Sequence, residues 1–338
     1  MIRAASVQAE ARAGTTRRLW SIGVLMLLAA FSTGAAIAQG DGPRTHWKGM
    51  LTDTNVFSLT YLQASGNTNP LDPTHTILLD ADFEADLALV GYSRSFSLFD
   101  RTAVGSILVP AGDLRAEVTT GPLAVQESAR GFGDPVLQLG LNLFGTPAMR
   151  NMPALVRYEP DFTVDLVVTL GIPIGEYDDE SPANIGQNRW FGRIGVPIMI
   201  NLGAWVPGRK TTLEFLPAVW FFEDNDDFLG QTLENDPLLQ LESHLTRDFT
   251  DTFWASVDAV WYKGGESTIA GQSGEELNDL GVGFTAGYQI NENMMLTAGY
   301  VATLENGQED LDLGVFRVNL IYGWHKLIEG IKRLEGGS

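Results

Sequence analysis

Beyond residue 38 the chain is organised by strict alternation of apolar and polar positions. In residues 136–144, Leu137, Leu139, Leu141 and Leu143 share one face of an extended strand, with Gln138, Gly140 and Asn142 on the other. Residues 162–172 align Phe162, Val164, Leu166, Val168, Leu170 and Ile172 opposite Asp165 and Thr169. In 280–290 the apolar set is Leu280, Val282, Phe284, Ala286, Tyr288 and Ile290, facing away from Gly281, Gly283, Thr285, Gly287 and Gln289. Residues 316–324 repeat the pattern, with Phe316, Val318, Leu320, Tyr322 and Trp324 against Arg317 and Asn319. Successive side chains of a strand point to opposite faces, so each segment has one greasy face and one polar or small one.

Read this way, the chain predicts strands over 54–63, 81–97, 101–111, 133–145, 160–172, 189–202, 211–222, 237–249, 251–263, 279–290, 293–303 and 312–324. That is about twelve, an even number, as single-chain bacterial barrels have. Long connections at 64–80, 112–132, 173–188, 223–236, 264–278 and 304–311 alternate with tight turns, such as Phe99-Asp100-Arg101 and Asn291-Glu292-Asn293. This asymmetry predicts an up-and-down transmembrane antiparallel β-barrel, with the tight turns periplasmic. The connection 146–159 is long for that side, and a short helix capping the floor of the barrel is expected there.

A water-soluble sandwich would alternate in the same way. Two features favour the membrane. The segments have the length a tilted strand needs to cross a bilayer, longer than common sandwich strands. Several also end in aromatic residues, Trp190, Trp261, Tyr262, Tyr300, Tyr322 and Trp324, which predict the girdles at the two membrane surfaces.

The first 38 residues read differently. Arg3, Arg12, Arg17 and Arg18 stand against Glu10, an apolar run follows from Leu19 to about Phe31, and small residues end in Ala36-Ile37-Ala38. This predicts a Sec-type signal peptide cut after Ala38, since the apolar run is too short for an anchor. The expected organisation is therefore a leader over 1–38, a barrel over 39–324 in the bacterial outer membrane, and a tail over 325–338. Leu327, Ile328, Ile331 and Leu334 of that tail lie at helical spacing, so a short amphipathic periplasmic helix is expected. The stretch 40–52 is too short for a plug domain but long enough to line a lumen.

Charge and composition narrow the function. The whole chain carries −20; the leader contributes four Arg and one Glu, +3, so the rest carries −23. Such acidity argues against nucleic acid as a partner. There is no cysteine, which removes thiol catalysis and Cys-based zinc sites. No cofactor is expected.

Six blocks carry a resemblance. They are Phe57–Tyr61, Ala64–Pro70, Gly91–Arg94, Gly131–Pro135, Asn184–Trp190 and Trp220–Gly230. In these, and in their order, the chain resembles the MetA-pathway of phenol degradation family, outer-membrane transporters found beside aromatic-catabolism genes. The resemblance spans nearly the whole mature chain and implies a barrel that moves hydrophobic or aromatic compounds. Barrels of this kind commonly end on an aromatic residue that the assembly machinery reads; here Trp324 is followed by the tail.

The residues expected to line the lumen are Glu84, Asp86, Asp165, Arg193, Glu214, Glu242, His244, Asp258 and Arg317. A basic residue facing mid-bilayer lipid costs roughly 2–4 kcal/mol, so the charged face should turn inward. Six carboxylates against two Arg leave a negative surplus that suits cations or neutral solutes. The alternative is a network of ion pairs that simply fills the bore. Asp224, Asp226 and Asp227 invite a Ca²⁺ reading, but the run lacks the spaced Gly and terminal Glu of an EF-hand loop; a solvated loop is the better reading.

Catalysis finds little support. Only His46, His75, His244 and His325 exist, Ser243 and His244 are adjacent and so face opposite sides, and no G-x-S-x-G or H-E-x-x-H occurs. The expected partners are outer-membrane lipids, the barrel assembly machinery and a small hydrophobic or aromatic, phenol-like solute passing through the lumen. The alternative functions are a structural or adhesive barrel without conduction and, less favoured, an outer-membrane lipid hydrolase.

Overall fold

Strands with one apolar face toward lipid and one small or polar face turned away from it satisfy every backbone group when the sheet curls until it closes. The computed structural model describes residues 40–78, 80–120, 123–304 and 310–330. The expected signal peptide over 1–38 lies outside the described residues, as do Ile331 and Leu334 of the tail. Twelve antiparallel strands form the closed barrel. They are β1 (Asn55–Gly66), β2 (Ala81–Leu98), β3 (Arg101–Thr120), β4 (Val136–Phe144), β5 (Phe162–Gly171), β6 (Phe191–Gly195, resuming as Ile198–Asn201), β7 (Thr211–Phe222), β8 (Leu238–Asp248), β9 (Phe253–Gly264), β10 (Leu277–Asn291), β11 (Met294–Thr303) and β12 (Leu313–Trp324). Closure is made by β1 on β12, in register from Asn55 opposite Trp324 to Gly66 opposite Leu313. Closing the sheet leaves no free wall edge, the condition for spanning lipid with strands.

The interruption of β6 falls at Val196-Pro197. Pro197 has no N–H to give the ladder, yet its carbonyl accepts from Asp165 N–H at 2.9 Å, so the wall stays stitched across the break. One connection departs from expectation. Residues 112–132, anticipated as a loop, extend β3 to Thr120 and return as the strand Leu123–Phe132, paired only with β3. Two further small hairpins, Asn225–Asn235 and Ser267–Ser273, join into one separate sheet at the long-loop end.

The outer face carries the predicted aliphatic band: Leu137, Leu139, Val168, Leu170, Leu245, Val282 and Phe284 all expose their side chains. Trp190, Tyr300 and Tyr322 are exposed on that face, and Trp324 stacks on Tyr322 with ring centroids 5.7 Å apart. Trp261 donates to Asn278 Oδ1 on the neighbouring strand. Tyr262 is a correction: it is 2% exposed, turned into the bore, with its ring 4.4 Å from that of His75. Adjacent strand residues cannot both face lipid, and Trp261 holds the outer position.

The bore is packed rather than open. At the long-loop end it holds an apolar cluster that includes Leu62, Phe83, Leu87, Phe191, Trp220 and Tyr262, joined by Leu71, Ile185 and Leu311 from the loops. At the short-turn end a second cluster holds Trp47, Met50, Leu51, Met149, Leu155, Trp205 and Trp254. The expected floor helix is present as α1 (Met152–Val156), with Asn151 Oδ1 accepting from Ala154 N–H at 3.0 Å as its N-cap and Leu155 buried in the floor. The tail is helical over 326–330, with Ile328 buried in the same cluster and Leu327 exposed.

Candidate functional site: the stoppered lumen

Between the two apolar clusters lies a belt of buried charge. Asp165, Arg193, Glu214, Glu242, His244 and Asp258 all point inward and are 3% exposed or less. Arg317 also faces inward, where its guanidinium reaches the Gly40 carbonyl at 3.4 Å. These are residues that alternation placed in the lumen. The other two are corrections: Glu84 and Asp86 lie on the outer face of β2, with the Glu84 side chain 72% exposed and Asp86 accepting from the Tyr61 hydroxyl at 2.6 Å. The reason is positional. Near the long-loop rim the inner face of β2 is apolar (Phe83, Ala85, Leu87, Leu89) because it packs on the mouth loops, so the acids take the outer face.

What fills the belt is the stretch from Gly40 to about Thr54, which enters the bore instead of merely lining it. The N–H groups of Asp41 and Gly42 both donate to Glu242 Oε2, at 2.8 and 3.2 Å, and Arg44 N–H donates to Glu214 Oε2 at 3.0 Å. Arg193 Nη1 donates to Asp41 Oδ2 at 2.9 Å, and its Nη2 to Glu242 Oε1 at 3.3 Å. His46 Nε2 stands 2.7 Å from Asp41 Oδ2, Lys48 pairs with Asp165 at 3.7 Å, and Arg44 pairs with Asp248. The wall charges therefore grip a peptide as well as one another.

Two glycines make that grip possible. Gly40 and Gly42 adopt φ of +84° and +82°, a region that L side chains avoid. A Cβ on Gly40 would lie 2.6 Å from Glu242 Oε2, and one on Gly42 would lie 2.2 Å from Arg317 Nη2. The backbone can approach both charges only because neither residue has a side chain.

The lower end of the segment is held by aromatic rings. The Arg44 guanidinium lies 4.5 Å from the ring centroids of both Trp47 and Trp254, and Lys210 Nζ lies 4.7 Å from that of Trp205. Burial, and then the nearby Arg44 charge, pull the Lys210 ammonium down to about 8, while Asp248 acts in the opposite sense.

With the segment in place the charge balance of the bore changes. Asp41, Asp165, Glu214, Glu242, Asp248 and Asp258 face Arg44, Lys48, Arg193, Arg317 and Lys210, with His244 set 2.9 Å from Asp258 and 3.4 Å from Glu242. The negative surplus expected from the strands alone is largely cancelled. The sequence contained the signal for this in Gly40-Asp41-Gly42 and the cations Arg44 and Lys48, but nothing local says that such a stretch folds inward.

The remaining sequence candidates fall outside this site. Asp224, Asp226 and Asp227 are exposed at the hairpin on the rim, and among the described residues no three His, Asp or Glu side chains are arranged to hold a metal ion. Ser243 sits on the outer side of β8, opposite in facing to His244.

A closed twelve-stranded antiparallel barrel with an exposed apolar band is the architecture of outer-membrane β-barrels. The chain matches the model of the family described as "Putative MetA-pathway of phenol degradation" over residues 64–316, and it belongs to that family. Among solved structures it is similar to the COG4313 outer membrane channel from Pseudomonas putida F1, with a TM-score of 0.65, 16% identity, and coverage of 85% of this chain and 100% of that one. A Pseudomonas aeruginosa FadL homologue aligns at a TM-score of 0.43 and 9% identity, covering 90% of this chain and 96% of that one. No curated protein matches the sequence.

Proposed function

We propose that the protein is an outer-membrane channel that passes small hydrophobic or aromatic, phenol-like solutes through its bore, with the segment 40–54 as a stopper that must shift for passage. The observation that carries this reading is that the wall charges bind a peptide. Glu242, Glu214 and Arg193 direct much of their hydrogen bonding at Asp41, Gly42 and Arg44, so withdrawing one short segment exposes a polar belt to water inside the bore. A bore meant only to be filled could pair wall to wall, as His244 does with Asp258. Family membership supports the solute class. The aliphatic band and aromatic girdles support embedding in outer-membrane lipid, and Trp324 at the end of β12 supports delivery by the barrel assembly machinery.

The packed bore itself favours a second reading, a structural barrel without conduction. Single-channel recording of the refolded protein in a planar bilayer, in salt with and without phenol, separates the two. Discrete steps that phenol partly blocks, larger and more frequent when residues 40–52 are deleted, support the channel. Silence in both proteins, each folded and heat-modifiable on gels, supports the structural barrel.

A further inference from the structure

The outward face of the barrel changes character at the short-turn end. On β8 it reads Leu239, Leu241, Ser243 and Leu245, then Arg247, and the turn beyond carries Phe249. Leu239, Leu241, Leu245 and Phe249 are all exposed. Leu245 stands in register with Leu213 of β7 and Val257 of β9, so the apolar band is continuous up to that point. Arg247, flanked by Thr211 and Ala255, is the next outward position, where the band stops.

A second arginine belongs to the same patch. Arg247 Nη1 donates to the Arg209 carbonyl at 3.3 Å and to Thr211 Oγ1 at 2.5 Å, which sets its side chain against the turn that carries Arg209. Both residues are exposed. Beside them the Phe249 and Phe253 rings stand 6.0 Å apart, an aromatic pair of the kind that marks a membrane surface.

What distinguishes this pair is its lack of counter-charge. Arg94 meets Asp53, Arg115 meets Glu84, Arg130 meets Asp113 and Arg150 meets Asp100. Among the described residues, neither Arg209 nor Arg247 makes an ion pair. Asp251 of the adjacent turn stays on Gly208, with its Oδ1 2.7 Å from where a Cβ on that glycine would stand. Arg157 has no ion pair either, but it stands singly at the end of α1, two residues from Glu159.

We propose that Arg209 and Arg247 form a headgroup site for an anionic phospholipid of the inner leaflet, with its phosphate on the two guanidinium groups and an acyl chain along Leu245, Leu213 and Val257. Charge complementarity selects this occupant. A guanidinium presents a fork of N–H donors that matches a phosphate, and two such cations here have no acid of their own. The apolar column that begins one position away from Arg247 gives the same molecule a seat for its tail, which a free phosphate would leave unused. At the opposite rim the outward positions of β2 are Glu84 and Asp86, which disfavour that headgroup. The inference rests on the membrane embedding of the reading above, with its tight turns in the periplasm, and is independent of conduction.

The test titrates the refolded protein, in neutral detergent, with phosphatidylglycerol and with phosphatidylcholine, and counts bound lipids by native mass spectrometry. The first phosphatidylglycerol should bind saturably and more tightly than phosphatidylcholine. Arg209→Gln and Arg247→Gln should each weaken it about fivefold and together roughly thirtyfold, with little change for phosphatidylcholine. Arg94→Gln combined with Arg150→Gln removes the same charge from the same end and should leave the first affinity unchanged. If the first double variant fails to show the heat-modifiability of a folded barrel, the two single variants carry the test. Full affinity in the Arg209 and Arg247 variants, an equal loss in the Arg94 and Arg150 pair, or no preference between the two lipids overturns the site. Displacement of phosphatidylglycerol by millimolar inorganic phosphate would make it a soluble-anion site and overturns the lipid assignment. Lipid preference in a barrel that never conducts defeats the channel reading alone; conductance without lipid preference defeats the headgroup site alone.

Discussion

Arg193 on β6 donates to Asp41 at 2.9 Å across 152 residues of sequence, and with its other amino group it holds Glu242 on β8. One guanidinium thus ties two strands of the wall to the peptide that stops the bore. All three side chains are 3% exposed or less, so none can exchange its partner for water while the segment is seated.

Removing that cation should therefore be costly. Arg193→Met leaves two buried carboxylates facing each other and should destabilise the protein by roughly 3–5 kcal/mol in urea unfolding followed by tryptophan fluorescence. Asp41→Asn combined with Arg193→Met should recover part of the loss, because one stranded charge is gone. Strictly additive effects of the two substitutions would count against a direct coupling.

Gly42→Ala should loosen the stopper while leaving the strands of the wall in place. The new methyl would fall 2.2 Å from Arg317 Nη2 at a φ of +82°, so the local turn has to give way. We expect higher open probability in planar bilayers with an unshifted heat-modifiability gel pattern. Wild-type conductance in this variant would show that Arg317 swings aside at no cost and that the stopper is held elsewhere.

The lid over the mouth should weaken in acid. His75 is 1% exposed against Tyr262, and burial, only partly offset by Asp72, pulls its imidazole down to about 4. A free imidazole titrates near 6.5, so between about 6.5 and 4 the opened loop binds a proton that the closed loop refuses. Closed-loop stability is then full above pH 6.5 and falls as pH drops toward 4, by roughly 3 kcal/mol at the limit. Hydrogen exchange of residues 64–78 should accelerate over that window, and His75→Gln should flatten the dependence. Equal pH dependence in the two proteins would assign it to another group.

The facing of two side-chain pairs is open to direct measurement. Glu84→Gln should leave single-channel conductance unchanged because its carboxylate stands outside the barrel, whereas Glu242→Gln should alter it. In brominated lipid, Trp261 fluorescence should be quenched. A Trp placed at 262 should be shielded, since Tyr262 is buried in the bore.

Alternation, together with strand length and the asymmetry of the connections, carried the architecture. A strand has a period of two, and lipid on one side with a packed bore on the other writes that period into every segment. The edges of β7, β11 and β12 could therefore be read from Thr211–Phe222, Met294–Thr303 and Leu313–Trp324 to within a residue or so. The same rule turned Asp165, Arg193, Glu214, Glu242, His244, Asp258 and Arg317 inward, because a charge on the lipid face is too expensive. It failed for Glu84 and Asp86, since above the membrane the solvent is water and the polar face can be the outer one. It failed for Tyr262, since two neighbouring aromatics cannot share a face. Whether the bore is open was never local information: Gly40 through Thr54 has no period that distinguishes a free arm from a stopper. Only the closed barrel, by bringing Glu242, Glu214 and Arg193 around one axis, creates the buried charges that this segment satisfies, and the cost of leaving them unpaired is what draws it in.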